Sequence, residues 1–184
     1  ENSQLTVADI VGSYQHDEYR VVQSGSGMNY GMSFPEFVSG SSANEVLING
    51  FWMGSDTDGN PYGSFAATFD PQAMTLSIPA GSKVFSAPLE DGSTMDCYMY
   101  IQDWDSSVCS ADPIVLSYDP ELRQFTWMAA GMETSEPTEN LIITSKADGI
   151  GTSITSGADF AVYLQFSFWN SVMQATQNGQ QGYC

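Results

Sequence analysis

A strand-turn-strand pattern occurs twice in this chain, about fifty residues apart. In each copy, residues 69–81 and 118–131, an aromatic residue precedes Asp-Pro, and apolar residues then follow at alternate positions. Asp before Pro favours a type I turn, because Pro fixes φ at the value which that turn requires. The alternation places Met74, Leu76 and Ile78 on one face of a strand. The repeated pattern therefore predicts an antiparallel β meander with one buried face.

Turn signals recur along the rest of the chain and predict eight to ten strands, with a short helical turn within residues 5–11. No amphipathic helix of three turns is evident. The predicted fold class is all-β, a single antiparallel meander closed into a lipocalin-like barrel, with a β-sandwich as the alternative. Residues 1–184 form one domain, and the polar tail from about residue 175 is expected to be flexible. The later predicted strands include residues 46–53, 62–69, 74–85, 95–102 and 160–169.

The charge is strongly one-sided, with 22 Asp plus Glu against 4 Lys plus Arg and a formal net charge of −18. Nucleic-acid binding requires many Lys and Arg side chains, so this class of function is excluded. Docking to anionic lipid head groups is excluded for the same reason. Divalent cations, neutral glycans and basic partners remain. The simplest interpretation is that the charge keeps a monomeric protein soluble.

Three cysteines and the overall composition bear on the cellular compartment. Cys97 and Cys109 flank a loop and are close enough in sequence for a local disulfide if the protein is exported, whereas Cys184 has no evident partner. Few lysines, many Ser, Thr and Gly residues, and a start at Glu1 without Met are typical of an exported, processed chain. No apolar run of about 20 residues predicts a membrane-spanning segment.

The beginning of the chain resembles lipocalin-type barrels, because a short helix precedes Gly12-x-Tyr14 at the start of the first strand. Three further runs are similar to lipocalin-like (calycin-like) envelope lipoproteins of gut Gram-negative anaerobes: VLINGFW (46–52), FAATFD (65–70) and TLSIPA (75–80). The resemblance implies a barrel, export, and a periplasmic or outer-membrane-anchored location through an upstream lipidated cysteine. It implies no catalytic residue.

His16 is the only histidine, and it stands beside Asp17 and Glu18. Adjacent residues of a strand point to opposite faces, so His16 and Asp17 are poorly placed to act as a pair. No Gly-x-Ser-x-Gly elbow accompanies them. We therefore expect His16 to be an exposed structural residue and the protein not to be an enzyme, with no catalytic residues.

Two acidic segments are candidate calcium ligands, Asp56 with Asp58 and Asp103 with Asp105. The first resembles part of a calcium loop, but Gly59 comes too early, and Asp-Gly between apolar strands is a common hairpin signal. The second flanks Trp104 and suits contact with a sugar or a metal, or simply a solvated loop. No other cofactor is expected.

Several aromatic residues exceed what a small core requires, and they are the predicted ligand-binding residues. Tyr98 and Tyr100 share one strand face, as do Phe166 and Phe168. They either line an apolar cavity or fill the interior of the barrel. The sequence thus predicts an exported, non-catalytic protein that binds a small hydrophobic or amphipathic ligand; the alternative is a carbohydrate-binding or adhesion surface assisted by calcium. The complete ligand-binding set is Trp52, Tyr98, Tyr100, Trp104, Trp127, Phe166 and Phe168.

Overall fold

The computed structural model describes residues 4–22, 28–51, 63–127, 138–154, 161–164 and 167–170. Within these ranges the chain forms thirteen strands and one short 3-10 helix, and all pairings between named strands are antiparallel. The predicted all-β class is confirmed. No helix of the described part is long and apolar enough to cross a membrane.

The elements follow one another with short connections in most places. The 3-10 helix is Val7–Asp9, and the strands are β1 (Gly12–Val22), β2 (Met28–Ser33), β3 (Glu36–Ser39), β4 (Glu45–Asn49), β5 (Ser64–Asp70), β6 (Thr75–Ile78), β7 (Ser82–Pro88), β8 (Thr94–Asp103), β9 (Ile114–Asp119), β10 (Gln124–Thr126), β11 (Glu139–Thr144), β12 (Ala161–Leu164) and β13 (Ser167–Asn170).

Eight strands pair in a closed circuit, which we call the barrel sheet. Its order is β1, β3, β4, β5, β6, β9, β10 and β13, and β13 returns to β1 through the pairs Tyr14↔Asn170 and Gln15↔Trp169. A circuit of this kind leaves no unpaired edge, which is how antiparallel barrels avoid edge-to-edge association.

A second sheet branches from the first through β1, whose later residues pair with β2 and β12. The order of this second sheet is β2, β1, β12, β11, β8 and β7. Strands β2 and β3 keep one register against β1, as the pairs His16↔Ser33 and Ser13↔Glu36 show. They are separated at Pro35, which has no N–H to donate to the ladder. Strand β1 therefore connects the two sheets.

The two Asp-Pro turns have the same geometry, as the sequence predicted. The Asp70 carboxylate accepts the N–H groups of Gln72 and Ala73, and the Asp119 carboxylate accepts the corresponding pair two and three residues on. Met74 and Arg123 end the turns at equivalent positions with φ of 56° and 50°. These local bonds explain why the repeated sequence produces two equivalent hairpins.

The predicted strand at residues 74–85 is wrong in one respect, because it forms two strands in different sheets. Pro79 follows the end of β6, and Gly81 adopts φ of 76°, a value that glycine tolerates without strain. The chain then leaves the barrel sheet as the β7–β8 hairpin, so β6 pairs with β9 rather than with β7. The predicted strand at residues 160–169 is likewise divided, into β12 and β13.

Alternate residues of the barrel strands point inward and form one apolar core. Its aromatic centre joins rings from four strands, with centroid distances of 4.2 Å between Tyr14 and Phe37, 5.5 Å between Phe37 and Phe125, and 4.5 Å between Phe125 and Tyr118. The inner face of the second sheet, including Met99, belongs to the same core. The two sheets are therefore held together by continuous apolar packing, which is the main stabilising term in a domain of this size.

Candidate functional site

Strand β8 is buried on both of its faces, and this positions the site. Cys97, Met99 and Ile101 face the main core. Tyr100 lies on the opposite face in a second cluster with Cys109, Ile142 and Ile154, and Tyr98 packs against it. Two irregular segments cover this outer face, residues 103–112 and 146–154. We call them the loop pair.

Gln102 anchors both segments of the loop pair from below. Its side chain is 1% exposed, and its Nε2 donates to the carbonyl oxygens of Ser107 at 2.9 Å and Ile154 at 2.8 Å. Its Oε1 has no hydrogen-bond partner among the described residues. Burying an amide costs free energy unless the amide is hydrogen-bonded, so the two bonds that Nε2 donates offset the cost of burying Gln102.

Tyr100 makes a second anchor, directed at the later segment. Its hydroxyl accepts the N–H of Gly149 at 3.1 Å and lies 2.9 Å from the carbonyl oxygens of Lys146 and Ala147. A Cβ atom at Gly149 would lie 3.0 Å from the ring, so the glycine permits this close approach. Burial raises the pKa of Tyr100, which keeps the hydroxyl protonated and able to donate.

Backbone hydrogen bonds connect the two segments directly. The N–H of Cys109 donates to the carbonyl oxygen of Thr152 at 3.0 Å, and the N–H of Gly151 donates to the carbonyl oxygen of Cys109 at 2.8 Å. The N–H of Ile154 donates to the carbonyl oxygen of Ser107 at 3.0 Å. Together with the Gln102 side chain, these bonds hold the loop pair in one conformation, although only its first residue, Asp103, belongs to a named strand. A surface built on such loops is organised before any ligand arrives.

The first segment of the loop pair carries an exposed tryptophan, Trp104, and its neighbours in the sequence, Asp103 and Asp105, are exposed as well. Trp104 is 54% exposed, although its backbone N–H is held by the carbonyl oxygen of Thr138 at 2.9 Å. Asp103 accepts the N–H and the hydroxyl of Ser106, both at 2.8 Å. These bonds lower the pKa of Asp103, with the backbone bond contributing most.

Ile150 lies in the second segment of the loop pair, bridged to Cys109, and is 51% exposed. We define the Trp104 surface as the exposed residues Asp103, Trp104 and Asp105. The sequence pattern identified all three, whereas Ile150 carried no signal because its exposure depends on the pairing of two distant loops.

His16 is buried and not exposed, so that prediction was wrong. Its side chain is 0% exposed, and its ring stacks on Phe51 with 4.8 Å between centroids. The hydroxyl of Ser33 donates to the carbonyl oxygen of Phe51 at 2.7 Å in the same region. The reason is the strand period of two, because His16 is in phase with the inward-facing Tyr14. That phase was the signal that could have identified it.

The N-terminal 3-10 helix lies over one end of the barrel sheet. The Tyr14 hydroxyl donates to the carbonyl oxygen of Ile10 at 2.7 Å. The Arg123 guanidinium lies 3.4 Å from the carbonyl oxygen of Asp9 and 3.5 Å from the carbonyl oxygen of Val11. Burial raises the pKa of Tyr14 to about 12. No sequence pattern predicted the role of Arg123, because the other copy of the repeat has Met74 at the equivalent position.

The cysteines within the described ranges are free thiols, so the two candidates do not form a disulfide. Cys97 belongs to the main core and Cys109 to the second cluster. Burial raises the pKa of Cys97 to about 12 and that of Cys109 to about 11. Cys184 lies outside the described residues.

The remaining predicted site residues are dispersed. Tyr98 and Tyr100 lie on one face of β8, as predicted, but this face belongs to the second cluster and not to the main core. Trp127 is half-buried and packs against the main core. In the described part no three His, Cys, Asp or Glu side chains are placed to hold a metal ion, and this includes Asp103 and Asp105. The side chain of Phe168 in β13 lies outside the description, as do Trp52, Asp56, Asp58 and Phe166.

Neither a protein-family model, nor a curated protein, nor a solved structure matches this chain. The fold class is therefore defined by the strand pairings, and the candidate sites are defined by local geometry. The structure is that of an all-β protein with a curled barrel sheet, a smaller second sheet and an ordered loop surface.

Proposed function

We propose that this chain is a non-catalytic recognition protein that binds carbohydrate through the Trp104 surface. The observation that carries the proposal is the half-exposed indole of Trp104, held by its backbone on ordered loops beside an ionised carboxylate. An indole offers a large apolar face to the flat side of a sugar ring. Carboxylate oxygens accept hydrogen bonds from sugar hydroxyls.

The construction of the loop pair supports a binding role. Tyr100 and Gln102 are polar side chains buried beneath it, and their hydrogen bonds are directed to its backbone. Burying two polar side chains is unfavourable compared with apolar packing unless the bonds are made. Their arrangement orders an otherwise irregular surface, and ordering before binding reduces the entropic cost of association.

The electrostatics of the surface favour binding over glycoside hydrolysis. A glycosidase needs one carboxylic acid with a raised pKa as proton donor. The hydrogen bonds from Ser106 lower the pKa of Asp103, which is the opposite shift. Asp103 is therefore suited to accept hydrogen bonds and not to donate a proton.

The test is binding of a panel of soluble oligosaccharides, followed by calorimetry on the strongest ligand. Trp104→Ala should weaken binding by roughly tenfold, since aromatic contacts contribute about 0.5–1.5 kcal/mol beyond buried area. Leu89→Ala provides the matched control, because Leu89 is also an exposed apolar residue in a turn. Equal loss in both variants, or no binding by the unaltered protein, would refute the proposal.

A small hydrophobic or amphipathic ligand in the barrel is the second candidate, and the asymmetry of the barrel ends favours it. The 3-10 helix covers the end that carries the short turns 71–74 and 120–123. The longer connections 50–63 and 127–138 leave the opposite end, where His16 and Phe51 stack. Long connections at one end of a barrel often serve ligand binding.

That second candidate has a direct test in native mass spectrometry of the protein purified under gentle conditions. A co-purifying small mass that is lost in Phe51→Ala, but retained in the surface variant Leu89→Ala, would support it. An apo mass together with unchanged tryptophan emission on adding a fatty acid would refute it.

Two further features belong to this proposal. A lipocalin-like identity is supported by the short helix before Gly12-x-Tyr14 and by the closed circuit of the barrel sheet. Export, with or without a lipid anchor, is supported by the acidic, lysine-poor composition. Fractionation of cells that produce the natural protein tests the location, and recovery in the cytoplasmic fraction would contradict export.

A further inference from the structure

We infer that the peptide between Asp148 and Gly149, in the second segment of the loop pair, is a modification site at which the aspartate isomerises spontaneously to isoaspartate. The buried Tyr100 hydroxyl controls the rate of this reaction, because it holds the peptide nitrogen that must react. The reaction needs no partner other than water.

The sequence provides the reactive pair. An aspartate that is followed by glycine closes to a five-membered succinimide ring more easily than other aspartates, because glycine has no side chain to obstruct the approach of its nitrogen. The Asp148 side chain is 86% exposed. Its ion pair with Lys146, at 3.3 Å, lies at the surface, where such a pair restrains a side chain only weakly. The carboxyl group is therefore accessible to water and free to turn towards the Gly149 nitrogen.

The chemistry is a condensation followed by a hydrolysis. The Gly149 nitrogen loses its proton and bonds to Cγ of the protonated Asp148 carboxyl group, and one water molecule leaves. Water then adds to one of the two ring carbonyl groups. Addition at the side-chain carbonyl restores aspartate, whereas addition at the main-chain carbonyl breaks its bond to the Gly149 nitrogen and leaves the chain running through the β-carboxyl group. No oxidant or reductant is involved.

The structure restrains the nitrogen that attacks. The N–H of Gly149 donates to the Tyr100 hydroxyl at 3.1 Å, and the same hydroxyl lies 2.9 Å from the carbonyl oxygens of Lys146 and Ala147. Backbone groups before and after Asp148 therefore meet at one buried oxygen atom. Ring closure requires this bond to break and the main chain to turn at Asp148, so the reaction proceeds from a locally open form of the segment.

The same contact explains why the reactive glycine is kept. A Cβ atom at position 149 would lie 3.0 Å from the Tyr100 ring, so a larger residue would push the segment off its anchor. Isomerisation adds one methylene group to the main chain between the Ala147 carbonyl group and the Gly149 N–H, which both contact Tyr100. The spacing that lets both groups reach the hydroxyl is then lost. The modification therefore removes one anchor of the loop pair permanently.

The experiment incubates the complete chain in heavy-oxygen water at neutral pH and follows oxygen uptake at residue 148 by mass spectrometry of proteolytic peptides. Every succinimide that forms and reopens takes one oxygen atom from the solvent, so uptake counts turnovers, and chromatography separates the isoaspartyl from the aspartyl peptide. In Tyr100→Phe, uptake at residue 148 should be roughly two- to tenfold faster, the factor by which the loss of one internal hydrogen bond raises the population of an open segment.

Three controls accompany this variant. Tyr98→Phe is the matched variant, because Tyr98 packs against the same cluster but its hydroxyl makes no hydrogen bond to residues 146–154 in the described structure, and it should leave uptake unchanged. Asp148→Glu keeps the charge and should abolish the fast uptake, because glutamate would have to close a six-membered ring. The Asp91–Gly92 peptide serves as an internal control, since its N–H donates to the carbonyl oxygen of Leu89 and not to a tyrosine.

Selective acceleration at residue 148 in Tyr100→Phe supports the inference. Unchanged uptake there, or equal acceleration at residues 91 and 148, overturns it, because the hydroxyl would then exert no local restraint. If Tyr100→Phe does not fold, the wild type in urea below its unfolding transition provides the second measurement. Amide hydrogen exchange of Gly149 and oxygen uptake at residue 148 should rise together, and exchange that rises without uptake overturns the inference.

Discussion

The sharpest stability prediction concerns Gln102, whose side-chain amide joins β8 to both segments of the loop pair. Gln102→Met preserves size but removes the two hydrogen bonds to Ser107 and Ile154. A typical internal hydrogen bond contributes about 0.5–1.5 kcal/mol net, so the expected loss is about 1–3 kcal/mol of the free energy of unfolding. Because Ser107 keeps its bond from the Ile154 N–H, most of this loss arises at the Ile154 carbonyl group.

Gln102→Glu should have a larger and pH-dependent effect. A carboxylate cannot donate to the two carbonyl groups and would be buried against their oxygens, so its pKa in the folded state should rise above the unfolded value of about 4.3. The resulting penalty is absent at pH values below the unfolded pKa. It then grows by about 1.4 kcal/mol per pH unit, to a maximum of about 4 kcal/mol at pH 7.

Urea unfolding of the wild type and both variants at pH 4.5 and pH 7 measures these differences, and hydrogen exchange shows whether the loop pair opens first. The Met variant should lose the same stability at both pH values. A Glu variant whose loss relative to wild type does not change with pH would refute the reasoning, because it would mean that the side chain at position 102 reaches solvent.

Three other predictions address the core and the backbone. Cys97 and Cys109 should resist a thiol reagent at pH 8 in the native protein and react after unfolding, because burial raises their pKa values; rapid native labelling of either would contradict the structure. Burial raises the pKa of Tyr14 to about 12, so the stability that its protonated hydroxyl contributes is complete below the unfolded pKa of about 10 and is lost as pH rises towards 12. In Tyr14→Phe the free energy of unfolding should therefore depend less on pH in that window. At neutral pH this variant should lose about 1 kcal/mol of stability, because the hydrogen bond to the Ile10 carbonyl oxygen is missing. Ser107→Gly should leave the melting temperature unchanged or raise it slightly, since φ of 61° is strained for serine; a clear decrease would show that its side chain contributes more than the strain costs.

Local features of the fold were predictable because they depend on residues close in sequence. The two Asp-Pro hairpins form as expected, since Asp70 and Asp119 bond to backbone groups two and three residues ahead. The short helix before Gly12 also forms. These elements are determined by turn chemistry and by the strand period of two, which operate without reference to the rest of the molecule.

The error at His16 shows where a local interpretation fails. The neighbouring Asp17 and Glu18 suggested that His16 is exposed, yet the phase of β1 places its imidazole beside Phe51 in the interior. Tyr98 and Tyr100 illustrate the complementary case, since their shared face was predictable but its environment was not. That face is covered by two loops that are remote from each other in the sequence, and no local pattern predicts that they come together there.

The sequence by itself determined the all-β class, the Asp-Pro turns, the alternation of inward and outward residues, and the acidic net charge. Only the tertiary structure decided that β6 pairs with β9, that β1 serves both sheets, and that Trp104 stands exposed on loops anchored by Gln102. Backbone ladders use the same donor and acceptor groups in every strand, so partner choice depends on which apolar faces can be buried together. That choice is made by packing across the whole chain.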